Sequence, residues 1–135
     1  MNDLKRVSLK YQNYDGKNIF LRDDKKENYY LVTVFGNKKI DLKKFRIENG
    51  LRHLSFASDV ELYNYLKLIS GAVTPLGLLN DKDKVVKFYI DDKSFKDPFI
   101  IGVHPNDNWA TVWLNVNDLV SIIKNNGNEV YLTKI

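Results

Sequence analysis

No cysteine occurs among the 135 residues, which excludes disulfides, thiolate zinc sites and cysteine nucleophiles and suits a reducing compartment. Histidine is nearly as scarce: His53 and His104 stand far apart without HExxH or comparable ligand spacing, so a zinc site has little support. GxSxG, GxxxxGK(S/T) and GxGxxG are all missing, which counts against a nucleophile elbow, a triphosphate loop and a dinucleotide loop. No apolar run approaches the ~20 residues that span a bilayer. The N-terminal MNDLKRVSLKYQNYDG lacks the apolar centre of a signal peptide. The expected place is the cytosol, with no membrane contact.

What is present fits one domain able to fold without staples, since a chain of this length buries roughly two-thirds of its unfolded surface. The net charge of +4 is uneven: residues 1–54 carry 13 Lys/Arg against 7 Asp/Glu, and the remainder 8 against 10. A basic first part is compatible with a polyanionic partner, and equally with a solvated lysine-rich surface. Asn18–Arg22 and Tyr29–Phe35 read as strands joined by a polar turn. Asp41 is placed to cap a helix to Asn49, with Leu42 and Phe45 inward and Gly50 ending it. A short strand, His53–Phe56, follows. Ser58-Asp-Val-Glu61 is a capping-box pattern, and Leu62, Tyr65, Leu66 and Ile69 keep helical spacing to Gly71. Val85–Ile90 and Ala110–Leu114 read as strands, Asn115 opens a helix to Gly127, and Val130–Thr133 closes the chain as a strand. The class is α+β: a mixed β-sheet with helices packed on it.

Three polar or glycine-bearing segments punctuate these elements: Gly16-Lys-Asn18, Gly71-Ala-Val-Thr-Pro-Leu-Gly77 and His104-Pro-Asn-Asp-Asn108. Lys17-Asn-Ile-Phe-Leu-Arg-Asp23, the GxxxP of Gly71 to Pro75 followed by Gly77-Leu-Leu-Asn-Asp81, and His-Pro-x-x-Asn-x-Ala-Thr-Val over 104–112 occur in that order. With these motifs, and Leu54-Ser-Phe-Ala-Ser58 between them, the chain resembles the YbaK/ProX family of prolyl-tRNA editing deacylases from about Lys17 to its end. That family hydrolyses alanine or cysteine wrongly attached to proline tRNA, and its fold is inserted in some prolyl-tRNA synthetases. Two departures stand out. Only 16 residues precede Lys17, where family members carry a further helix and strand that help wall the pocket. Trp109 stands where relatives have a small residue, often threonine.

The resemblance implies catalytic positions at Lys17, Gly71, Thr74 and His104, and substrate contacts at Asn18, Ala72, Val73, Pro75, Asn108 and Ala110, with no cofactor and no metal. The residues themselves leave alternatives open. Lys17 is either an exposed turn lysine or a compact cation for a tRNA phosphate or ribose. Asn18 either orients the substrate ester or closes the turn. Gly71 is explained as a helix terminator, but Pro75 is not, and a rigid Gly-to-Pro segment suits backbone N–H groups aimed at a developing oxyanion. The Thr74 hydroxyl either touches substrate or bonds its own backbone. His104 is either a loop histidine fixed by Pro105 or a pocket-lining group near its ordinary pKa of ~6.5. Alternation along Trp109–Leu114 puts the tryptophans on one face and Ala110 and Val112 on the other.

The function expected is trans-editing of mischarged proline tRNA, with alanine as the first substrate and water as the attacking group. Partners would be the acceptor end of tRNA(Pro) and prolyl-tRNA synthetase. Competing readings are a cysteinyl-tRNA(Pro) deacylase, a non-catalytic tRNA-binding or synthetase-associated module of the same fold, and a general nucleic-acid-binding domain, for which no reading motif is present.

Overall fold

A computed structural model describes residues 16–35, 39–69, 73–91, 100–103, 112–133 and 135. Strands β1 (Gly16–Asp23) and β2 (Tyr29–Phe35) form the expected antiparallel hairpin, with Leu21 opposite Tyr30. Its turn is held by the buried Asp23 carboxylate, which accepts from the Glu27 N–H at 2.9 Å and from the Asn28 side chain at 2.8 Å. Burial alone would raise the Asp23 carboxyl, but these hydrogen bonds hold it below its ordinary value.

Helix α1 (Leu42–Glu48) starts at Asp41, whose side chain accepts from the Lys44 N–H, and stops before Gly50, which has φ +66°. Strand β3 (Leu54–Phe56) pairs with β1, starting one residue later than its sequence suggests because His53 stays outside the ladder. Helix α2 (Asp59–Leu66) carries the full capping box between Ser58 and Glu61. A 3-10 helix (Pro75–Asn80), β4 (Val86–Asp91), β5 (Ile100–Val103), β6 (Val112–Asn115), α3 (Val116–Asn126) and β7 (Val130–Thr133) complete the order.

The main sheet runs β3-β1-β2-β4-β7, antiparallel through β2 and parallel beyond it, while β5 and β6 form a separate antiparallel pair. The mixed sheet with helices packed on it is as expected, and the β5–β6 pair is an addition to it. Of the strand read over 110–114, the described part is β6; Ala110 lies outside the described residues. Two cores flank the main sheet. Phe20, Leu31, Phe88 and Ile90 face Leu62 and Leu66 of α2, Leu78 of the 3-10 helix and Leu119 and Ile123 of α3. Leu21, Tyr30, Val32, Val34 and Tyr89 face Phe45 of α1 and Leu54. Residues Tyr29 to Val34 are all buried because both faces of β2 are covered.

Helix α2 ends earlier than its periodicity predicts. Lys67 adopts φ +57° and its N–H returns to the Tyr63 carbonyl, while the Asn80 side chain takes the Leu66 carbonyl at 2.9 Å. A left-handed residue cannot continue the helix. Ile69, expected to face inward, is therefore 67% exposed, and Leu68 fills the core instead.

The 3-10 helix is anchored by amides. Buried Asp81 accepts from the Val86 N–H at 2.8 Å and from Asn128 at 3.0 Å, and Asn126 donates to the Leu78 carbonyl at 3.0 Å. Gly77 packs so closely that an added Cβ would lie 2.5 Å from Leu68 Cδ1 and 3.0 Å from its Cγ. Leu68 is buried and has little room to yield. Gly77→Ala is expected to destabilise by about 1–3 kcal/mol, lowering the melting temperature by about 5 °C or more. A thermal melt within 1 °C of the parent, an interval of about a few tenths of a kcal/mol, would show that Leu68 repacks freely.

Candidate functional site

A cleft of about 330 Å³ opens beside β1. β3 pairs only with Leu21 to Asp23 of β1, and after the Ala57 N–H donates to the Phe20 carbonyl at 3.0 Å the chain turns into α2. The first half of β1 is thus left without β3 against it, and that step forms the cleft. Lys17 to Phe20 make one wall, Phe56 at the end of β3 and Ala57 just after it a second, Asp59 and Leu62 of α2 a third, and Val73 the far side.

The α2 wall is held to the hairpin by Glu61. Its carboxylate accepts from the Ser58 N–H at 2.9 Å and from the Tyr29 hydroxyl at 2.5 Å, and Arg22 Nε lies 3.3 Å away. Burial pushes Glu61 up, but the Ser58 and Tyr29 bonds and the Arg22 charge outweigh it and leave the carboxyl below its usual range. Burial, then the bond to Glu61, pushes the Tyr29 hydroxyl well above its ordinary value. Both groups keep their roles, carboxylate acceptor and phenol donor, through neutral pH, so this corner is a scaffold rather than an acid–base pair.

Asn18 joins the opposite walls. Its amide nitrogen donates to the Val73 carbonyl at 3.1 Å, and its amide oxygen accepts from the buried Thr33 hydroxyl at 2.6 Å. Asn18 and Thr33 are partners in the β1–β2 register, so the hairpin itself sets the donor's position. Beside the roles its sequence suggested, Asn18 reaches across 55 positions to hold Val73.

Of the residues singled out from sequence, Lys17, Asn18 and Val73 come together on this cleft. Lys17 is exposed. Thr74 and Pro75 are buried and begin the 3-10 helix. Of its two possible roles, Thr74 shows the bond to its own backbone: its hydroxyl accepts from the Leu76 N–H at 3.3 Å. Gly71, Ala72, His104, Asn108, Trp109 and Ala110 lie outside the described residues. Sequence reasoning missed Phe56, Asp59 and Leu62 as cleft residues, because the capping box fully accounts for that stretch; an exposed aromatic directly before a helix start was the available signal. Among the described residues no group of three or more His, Asp or Glu side chains is placed to hold a metal ion, and no helix is long and apolar enough to cross a membrane.

Comparison with known proteins identifies the family. A family model for the aminoacyl-tRNA editing domain matches residues 12–122. The prolyl-tRNA editing protein ProX of Acetoanaerobium sticklandii is 43% identical over 128 residues, covering 95% of this chain and 77% of the relative. A prolyl-tRNA synthetase associated domain-containing protein of Bos taurus is 35% identical over 116 residues, covering 84% of this chain and 67% of its own length. In fold, the chain superposes on a crystal structure described as a candidate trans-editing enzyme for prolyl tRNA synthetase, with a TM-score of 0.70, 20% identity, and coverage of 98% of this chain and 79% of that one. By the family model and the relative that is 43% identical, the chain belongs to the aminoacyl-tRNA editing domain family, a family of deacylases.

Proposed function

We propose that this chain is a trans-editing hydrolase that removes alanine from wrongly charged proline tRNA, working in the cytoplasm beside prolyl-tRNA synthetase. The observation that carries this reading is the pair of hydrogen bonds made by Asn18, which sets Val73, two residues before Pro75, and Lys17 on one cleft. Because Lys67 ends α2, no glycine is needed at position 71 to stop that helix. The competing explanation for Gly71 thereby falls away, which supports a role for the segment in the reaction.

The donors of this segment can be narrowed. The Leu76 N–H is taken by the Thr74 hydroxyl and the Gly77 N–H by the Thr74 carbonyl at 3.0 Å, and Pro75 has none. N–H groups for an oxyanion therefore come from Thr74 or earlier in the segment. Water attacks the ester carbonyl carbon, the oxyanion forms against those donors, and collapse breaks the bond to the ribose oxygen. The proton lost by the water passes to that oxygen, with the neighbouring ribose hydroxyl as relay. Lys17 holds the terminal phosphate or ribose, and the Asp59 carboxylate on the same cleft serves as counter-charge to the substrate's α-ammonium. Apolar side chains of Leu62 and Val73 admit a methyl group, and the proline ring is excluded by size.

The sieve logic sets the size of effect to expect. A pocket shaped for proline rejects smaller side chains by only about 10- to 200-fold, so a second and smaller site is required. Alanine, cysteine and proline esterified to the same tRNA are the test. Alanyl-tRNA is expected to be hydrolysed at least ~10-fold faster than either other ester. Preference for the cysteinyl ester would reassign the substrate, and a folded protein that binds tRNA but hydrolyses none of the three would overturn the enzymatic reading.

A further inference from the structure

On the α1 side of β3 lies a second cleft, of about 300 Å³, lined by Leu42, Lys43, Arg46, His53 and Leu54. Its charged lining is entirely basic. Among the described residues Lys43, Arg46 and His53 have no ion-pair partner. Arg52, next to His53, is instead neutralised by Asp24 through bonds of 2.7 and 3.1 Å. Lys43, Arg46 and His53 therefore keep positive or donor groups on this cleft that Arg52 does not share, and its floor is the buried Leu54.

Leu54 and Phe56 are two apart on the same short strand and point to the same side. Phe56 is 65% exposed and lines the reaction cleft with Lys17. The two clefts are therefore joined across β3 by about 7 Å of strand, roughly the reach of one nucleotide. A large aromatic face left open between two basic positions is what an unpaired nucleobase needs: a surface for stacking, with phosphates held on either side.

We infer that this ridge is the track for the single-stranded 3′ end of the tRNA: one base stacks on Phe56, the phosphate on the ester side meets Lys17, and the phosphate leading toward the tRNA body sits between Lys43, Arg46 and His53. The inference rests on the tRNA-editing reading and adds a binding site outside the reaction cleft. Lys43 and Arg46 act on affinity here, not on the reacting atoms.

The test is a titration of the full chain with uncharged tRNA at several salt concentrations, together with single-turnover hydrolysis at saturating alanyl-tRNA. Lys43→Glu with Arg46→Glu is expected to weaken binding more than ~10-fold and to reduce the slope of log affinity against log salt by about one, while the saturated rate stays within about twofold. Lys43→Gln with Arg46→Gln gives the same changes at smaller size, which guards against a folding defect in the reversed variant. Phe56→Ala is expected to lose about 5- to 100-fold in affinity for intact tRNA, to lose little for tRNA trimmed of its unpaired 3′ nucleotides, and to be rescued by Phe56→Tyr. Unchanged affinity and slope in the charge-reversed protein overturn the inference, even if editing proceeds at full rate. Binding that depends on these residues in a protein that hydrolyses no ester supports it, although the editing reading would then have failed.

Discussion

Lys17→Ala is expected to slow single-turnover hydrolysis of alanyl-tRNA by about 100-fold, the scale of loss when a reacting ester is no longer held in position. The protein should melt within about 3 °C of the parent, because an exposed lysine contributes at most a few tenths of a kcal/mol to a fold. Its backbone remains in β1 opposite Val34, and the cleft keeps its walls, so the loss isolates the ammonium group. Lys17→Arg tests the geometry: a planar fork does not reproduce a compact point charge, and only partial recovery is expected. A folded Lys17→Ala protein with near-parental turnover would refute the anchoring role.

Asn18→Asp is expected to cost about 100-fold in the same assay, through position rather than direct chemistry. The substitution keeps the size of the side chain and its ability to accept from Thr33, but replaces the donor that meets the Val73 carbonyl by a carboxylate oxygen. Two acceptors then face each other where the parent has a bond of 3.1 Å. Relief requires the segment ahead of Pro75 to move away from β1, and a displacement of about 1 Å at a reacting centre is enough for a loss of this size. Stability should fall by about 1–3 kcal/mol, because the Val73 carbonyl loses its partner in a partly buried setting. A melt that records this loss while hydrolysis at saturating substrate is unchanged would make Asn18 a structural strut alone.

These two residues show how unevenly the site can be read. Lys17 was visible as a cation at a turn before an apolar strand, and its neighbourhood needed only the hairpin to be right. For Asn18 the sequence supplied the residue but not the partner. Thr74 presented two local options, and the folded chain shows its hydroxyl accepting from the Leu76 N–H. Phe56 and Asp59 looked like a strand end and a helix start, which they are, and became cleft residues because β3 stops at Phe56.

The sequence by itself determined the elements whose signals are local. Alternating apolar runs set the hairpin, Asp41 and the Ser58–Glu61 pair set two helix starts, and absent motifs removed thiol, triphosphate and dinucleotide chemistry from consideration. Those features depend on residues within one or two turns of each other, where steric and hydrogen-bonding preferences act without the rest of the chain. Tertiary structure decided where α2 ends, the separation of β5–β6 from the main sheet, and the composition of both clefts. The reason lies in the distance of the contacts along the chain: Asn18 meets Val73 across 55 positions, and Asp81 meets Asn128 across 47. An amide or carboxylate has several acceptable partners within reach of any local pattern, and which one it takes is settled only when burial leaves a single arrangement that satisfies every polar group.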